Sequence, residues 1–240
     1  MFKKDKKGDN ESIKHGVRMV TASSSDPVIN EQFNTLRTNI QFSNVDTEYK
    51  KIMITSPTMS EGKSTVAANI ATSFAKAGKS TLLVDADLRR PTIRSTFMIS
   101  QNNGITNFLT ERDFNLNSAV YKTTLANLYV LPSGPIPPNP SELIVSKKMK
   151  NMIKNSFKSF DLVIFDAPPL LSVTDGQILS TLVDGTIIVL RDNYTEKQSA
   201  LEAVDMVNHV NGHIIGAILN DVNDSSEGYY GYYSNDISKG

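Results

Sequence analysis

The chain has 240 residues, 39% hydrophobic and 21% charged, with 25 basic and 25 acidic side chains and a formal net charge of zero. That balance excludes a global basic field for nucleic acid, and the length is ample for one buried core. Cysteine is absent, which excludes disulfide frameworks, thiolate metal sites and cysteine nucleophiles.

Residues 1–25 open on "MFKKDKKGDNESIKHG", a lysine-rich run without the apolar middle of a signal peptide, and close on Ser23-Ser24-Ser25. They read as a flexible polar arm, either a plain solvated tail or one drawn to anionic lipid or an acidic partner. No apolar run approaches the ~20 residues of a membrane span. The chain therefore reads as cytoplasmic, with any membrane role supplied by a partner. One domain is expected over residues 26–222, followed by a flexible tail over 223–240.

From Pro27 the pattern is helical: Ile29, Phe33, Leu36 and Ile40 share one stripe, while Glu31, Asn34 and Arg37 project away from it, free to contact something else. Six short β-rich runs then alternate with helical segments: "KIMIT" (51–55), "TLLVD" (81–85), "LYVL" (128–131), "DLVIFD" (161–166), "TIIVL" (186–190) and "IIGAIL" (214–219). Their apolar character on both sides suits a parallel sheet covered on both faces. A helix is expected over 64–77, stopping at Gly78, and another behind the Pro-rich "PIPPNP" with Ser141 as its N-cap. The fold class is α/β: a doubly wound, mainly parallel sheet with helices on both faces.

The decisive stretch is "PTMSEGKST", residues 57–65, between the first strand and its helix. A helix N-terminus favours anions, so Ser60, Glu61, Gly62, Lys63, Ser64 and Thr65 form a candidate ATP-binding loop. Lys63 would bridge the β- and γ-phosphates, Ser64 would ligate Mg²⁺, and Thr65 would reach the α-phosphate. Pro57 lacks an N–H and Ser60 lacks glycine's freedom at positive φ. The Gly-Lys-Ser of closest approach is nevertheless intact, so the α/β fold is expected to be P-loop NTPase-like.

Two later strands carry carboxylates to the same edge. "LLVDADLRRP" ends in Asp85 and Asp87, and "LVIFDAPP" delivers Asp166. Ligands gather at the carboxyl ends of parallel strands. Carboxylates beside a triphosphate need a cation between them, and Mg²⁺ supplies it. Ser64, Asp87 and Asp166 are the metal candidates; Lys63, Asp85 and Asp87 are the catalytic ones, one of the two aspartates taking a proton from an attacking hydroxyl. Asn220 closes a strand where its amide could read adenine or merely make a turn. Arg89 and Arg90 either face phosphate or a neighbouring subunit, or keep a loop soluble. His209 and His213 read as surface histidines, since Asn211-Gly212 ends a helix between them.

With these boxes, "PSGPIPPNPSELI" (132–144) and a tail bearing Tyr229, Tyr230, Tyr232 and Tyr233, the chain resembles the bacterial tyrosine kinases of capsule and exopolysaccharide synthesis. The resemblance runs from about Pro27 to the C-terminus. It implies Mg-ATP binding and phosphorylation of the tail tyrosines by a neighbouring subunit of a homo-oligomeric ring. It also implies a transmembrane polysaccharide co-polymerase-type adaptor that recruits the chain to the inner membrane face, and a cognate tyrosine phosphatase. The helix motif that joins subunits in that family reads Glu31-x-x-Asn34-x-x-Arg37 here, with one arginine replaced. Met59 and Ser60 likewise replace the Pro-Gly common in its P-loops. Two other readings compete: a non-catalytic ATP-binding scaffold, and a partitioning-type P-loop ATPase. Against the second, its extra lysine would fall at Thr58.

Overall fold

The computed structural model describes residues 6–22, 26–43 and 48–222. All six apolar runs become strands: β1 (Lys51–Thr55), β2 (Thr81–Asp85), β4 (Leu128–Leu131), β5 (Leu162–Asp166), β6 (Gly185–Arg191) and β7 (Ile214–Asn220). A two-residue strand, β3 (Tyr121–Lys122), joins them at one edge. The order across the sheet is β3-β4-β2-β5-β1-β6-β7, and every pairing is parallel except β3 with β4.

Strand residues alternate between two cores. Ile52, Ile54, Leu83 and Ile164 meet the apolar side of α3 (Lys63–Lys76), including Val66, Ile70 and Phe74. On the other face, Met53, Leu82, Val84 and Phe165 meet Met149, Met152 and Ile153 of α7 (Lys147–Asn155). This two-sided burial is why the runs are continuously apolar. The first helix of the domain, α2 (Pro27–Phe42), is capped by Asp26, whose side chain accepts from the Ile29 N–H at 3.1 Å. Its stripe of Phe33, Leu36 and Ile40 lies against the α3 core. As expected, α3 ends at a left-handed Gly78 (φ 90°), where Lys79 N–H reaches back to the Phe74 carbonyl.

Two expectations are corrected. Residues 6–22 of the arm are structured: Lys6–His15 forms α1, and a 3-10 turn at Val20–Ala22 buries Val20 and Thr21. The cause is Asn69 on α3, whose buried amide accepts from Thr21 N–H and hydroxyl and donates to the Arg18 and Thr65 carbonyls. The helix behind the Pro-rich loop, α6 (Pro140–Val145), starts two residues earlier than expected, with Asn139 as N-cap. Pro140 takes the first helical position, where its missing N–H costs nothing, and Ser141 is left for another role. Among the described residues no helix is long and apolar enough to cross a membrane. The tail from residue 223, with Tyr229, Tyr230, Tyr232 and Tyr233, lies outside the described residues.

Candidate active site

The register puts Asp85 and Asp166 side by side on β2 and β5, and Ile54 of β1 beside Asp166. Strand order therefore brings the ends of β2, β5 and β1 to one edge, with the candidate phosphate-binding loop leaving from β1, beside β5. A cavity of about 530 Å³ opens there, lined by Ser60, Gly62, Lys63, Ser64, Thr65 and Asp87. Pro168 and Pro169 wall one side, and Ile13 and Val17 from the N-terminal segment close another.

Three consecutive loop carbonyls are tied down from the β6–β7 side. Met59 O accepts from Tyr194 Oη at 3.3 Å, Ser60 O from Arg191 Nη1 at 3.3 Å, and Glu61 O from Asn220 Nδ2 at 3.0 Å. In a trans peptide the N–H points opposite to the C=O. The amides of Ser60, Glu61 and Gly62 are thus turned away from these anchors, as an anion cradle requires. Ser60 takes a left-handed φ of 65°, and Gly62 one of 91°. A Cβ on Gly62 would lie 2.1 Å from Asn220 Nδ2, so glycine is needed there for space as well as conformation. Asn220, read from sequence as a candidate for adenine or a turn, donates one amide N–H to the loop. The Glu61 carboxylate is buried behind the cradle and accepts from Thr58 Oγ1 at 2.7 Å; burial pushes its pKa up against that hydrogen bond.

Lys63 Nζ sits 3.0 Å from Asp87 Oδ2, 3.2 Å from Asp166 Oδ1 and 3.2 Å from Ser64 Oγ. Burial alone would lower the lysine's pKa, but the charges of Asp166 and Asp87 outweigh it and hold it above its ordinary value. For Asp87, burial raises the pKa, yet Lys63 brings it below the usual carboxylate range. Its other oxygen accepts from the Arg89 and Arg90 N–H groups at 3.3 and 3.0 Å. Asp85 differs. Burial first, and Asp166 second, drive its pKa well up; its Oδ2 caps α4 (Ile93–Thr96) through Thr92 and Ile93 N–H, both at 3.0 Å. Its Oδ1 has no hydrogen-bond partner among the described residues. Burial also raises Asp166, opposed by Lys63 and by the Ser64 hydroxyl.

A candidate phosphate cradle, a buried lysine and three aspartates at adjoining strand ends can be set beside known proteins. The family profile described as "AAA domain" matches residues 49–218. The chain is 44% identical over 203 residues to tyrosine-protein kinase YwqD of Bacillus subtilis, covering 85% of each chain. It is 36% identical over 209 residues to the putative tyrosine-protein kinase CapB of Staphylococcus aureus, covering 87% of this chain and 91% of that one. Among solved structures, the chimerical protein CapA2B2 superposes with a TM-score of 0.79 at 31% identity, over 88% of this chain and 97% of the other. The chain belongs to the bacterial tyrosine-protein kinase family.

Within this kinase domain the residues fit magnesium. Asp166 Oδ2 is buried with no hydrogen-bond partner among the described residues, while the Ser64 hydroxyl meets the same carboxylate. Mg²⁺ takes one or two carboxylates and keeps its remaining positions for phosphate oxygens and water. Arg37, expected to reach a group beyond its own helix, does so within the chain: its Nη1 donates to the Ser73 carbonyl and hydroxyl of α3, both at 3.1 Å, because α2 packs directly on α3. Asn34 stands between Glu31 and Arg37, donating to one and accepting from the other. His209 ends its helix and His213 begins the approach to β7, both exposed.

Four residues at or beside the candidate site were not read from sequence. Arg191 lines the cavity and anchors the loop. Asp175, at the start of α8 (Asp175–Ser180), is 2% exposed and meets Arg89; it is the one carboxylate between Asp166 and Asp184, which was an available signal. Ile13 and Val17 belong to a segment whose sequence is polar enough to hide them.

Proposed function

We propose that the chain is the kinase subunit of a capsule or exopolysaccharide system, transferring the γ-phosphoryl group of ATP to tyrosine. The observation that carries this is the meeting of Lys63 and Ser64 with Asp85, Asp87 and Asp166 at one sheet edge, in a member of the tyrosine-kinase family. ATP lies with its phosphates on Ser60–Thr65. Ser64, Asp87 and Asp166 hold Mg²⁺, which when bound offsets phosphate charge. Lys63 swings from its carboxylates to the phosphates, its flexible stem allowing both positions.

Asp85 takes the tyrosine proton. A base needs an unoccupied oxygen and a pKa near the working pH, and Asp85 has the free Oδ1 and the upward shift, whereas both oxygens of Asp87 are engaged. The acceptors are Tyr229, Tyr230, Tyr232 and Tyr233, presented in trans by a second copy of the chain, with Glu31 and Arg37 on the α2 face that joins subunits. A transmembrane co-polymerase-type adaptor holds the chain at the inner membrane face, a reading supported by the similarity to the CapA2B2 chimera. A cognate phosphatase resets the tail. Each phosphate brings roughly −1.5 to −2 charges, which would expel a modified tail from a carboxylate-rich site.

The test is to incubate the purified chain with Mg-ATP, with and without a cytosolic fragment of the adaptor, and map phosphotyrosine by mass spectrometry. Phosphate on residues 229–233 that is lost in Lys63→Met is the expected result. ATP binding with no phosphotyrosine under either condition would sink the kinase reading in favour of a scaffold.

A further inference from the structure

Arg89 follows the aspartate pair, and its guanidinium is held in a seat of unusual completeness. Its Nε lies 3.0 Å from Asp175 Oδ2, and its Nη2 donates to Ser141 Oγ at 2.7 Å. The Ser141 hydroxyl in turn donates to Asp175 Oδ1 at 2.7 Å, closing a three-residue ring. These residues come from three segments: the loop after β2, helix α6 and helix α8. At its other end Arg89 is fixed too, since its backbone N–H is bound to Asp87. The Arg89 side chain is 38% exposed, and the Asp175 side chain only 2%.

That asymmetry is informative. A carboxylate at this depth is costly unless its partners are in place, and a surface arginine needs no buried counter-charge to stay soluble. The ring instead fixes the plane and position of a guanidinium that lines the same cavity as Lys63, Ser64 and Asp87. Nη1 makes no hydrogen bond to the described residues. A planar fork locked on one side and open on the other suits the spread charge of a transferring phosphoryl group. Donors already in position require no reorganisation when that charge develops.

We propose that Asp175, with Ser141, is a positioning residue that holds Arg89 at the phosphoryl-transfer end of the cavity, where Arg89 stabilises the charge of the group in flight. The proposal rests on the reading of this cavity as a nucleotide site. In the reaction itself the bond from the γ-phosphorus to ADP breaks, the bond to the tyrosine oxygen forms, and the tyrosine proton goes to Asp85. Arg89 exchanges no proton. The Pro-rich loop that leads into α6 acquires a reason as well, since it delivers Ser141 to this ring.

The test compares affinities for Mg-ADP and for Mg-ADP with aluminium fluoride, a mimic of the transferring phosphoryl group that needs no tyrosine acceptor. Asp175→Asn and Arg89→Gln should each weaken binding of the mimic about tenfold or more, the scale of a lost hydrogen bond to a charged group. Mg-ADP binding should stay near that of the unaltered chain. Because Asp175 acts through Arg89, the double variant should bind the mimic no more weakly than Arg89→Gln alone. Ser141→Ala, a milder change outside the core, should lose about fivefold and carries the test if Asp175→Asn folds poorly. Losses that multiply in the double variant, or an unaltered chain that does not favour the mimic over ADP, would overturn the proposal. The expected pattern in a chain that forms no phosphotyrosine would remove the kinase reading and leave the positioning role standing.

Discussion

Lys63 Nζ and Asp87 Oδ2 are 3.0 Å apart, and the two side chains are only 12% and 3% exposed. The ammonium is the charge nearest Asp87 and Asp166, so its removal strands two buried carboxylates. Lys63→Met is expected to destabilise the nucleotide-free chain by about 3 kcal/mol at neutral pH, the scale of breaking a buried pair. The sign follows from the two shifts. Asp87 is held below its ordinary range, so its contribution is present above the unfolded value and lost as pH falls through the folded one. Lys63 is held above its own, so its contribution persists at all pH values below about 10.5 and fades beyond. The deficit of the variant should therefore be full at pH 7 and shrink below about pH 4, as read from denaturant midpoints across that range.

Asp85 works in the opposite direction. Its pKa is raised well above the ordinary carboxylate value by burial and by Asp166. A carboxyl group whose folded pKa exceeds its unfolded pKa favours the fold at acid pH, and that advantage disappears as pH rises through the folded value. Above the unfolded value, and so at neutral pH, the upward shift of Asp85 counts against the fold. Asp85→Asn should stabilise the chain by roughly 0.5–2 kcal/mol at pH 7–8, with the gain vanishing near pH 4, while phosphotyrosine formation is lost. The same shift sets the acid limb of the pH–rate profile above the usual carboxylate range of about 4. Thermal unfolding from pH 4 to 8, paired with initial rates, checks both.

What the sequence made legible was whatever local periodicity and strand ends determine. The runs at 51–55, 81–85 and 161–166 are apolar throughout because both faces are covered, and each hands its last residue to the ligand edge. That is why Asp85 and Asp166 were readable as neighbours. Residues joined by distant polar contacts were hidden. Asn69 looks like an ordinary helical asparagine, yet it clamps Thr21 from 48 positions away. Ser141 resembles an N-cap because Asn139 and Ser141 are both competent, and only Pro140 at the first helical position decides between them. Arg37 looks unattached until the packing of α2 on α3 brings it to Ser73.

The contact between Asn220 and the loop predicts graded losses. Gly62→Ala must place a methyl 2.1 Å from Asn220 Nδ2 in a backbone at φ 91°, so the loop has to open. Nucleotide affinity should fall by about a hundredfold or more, the scale of displacing bound phosphate by an ångström. Asn220→Ala removes a single donor to Glu61 O. It should weaken nucleotide binding about tenfold with little change in global stability. Titration with a fluorescent nucleotide distinguishes the two, and equal affinities would show that the anchor does not shape the cradle.

Asn69 offers the last test, because three of the four hydrogen bonds of its side chain run from α3 to Arg18 and Thr21, the fourth returning to Thr65 in the same helix, and the side chain is fully buried. Asn69→Leu keeps the branched outline of the side chain and leaves Thr21 N–H and the Arg18 carbonyl without partners. The cost should be about 1–3 kcal/mol per stranded group, but the chain can avoid it by releasing residues 12–22 into water. Local detachment is therefore expected before global unfolding. Amide exchange over residues 12–22 should accelerate while β1, β2 and β5 stay protected, and Ile13 and Val17 should leave the cavity wall. Uniform acceleration across the sheet would mean instead that the N-terminal segment and the core unfold as one unit.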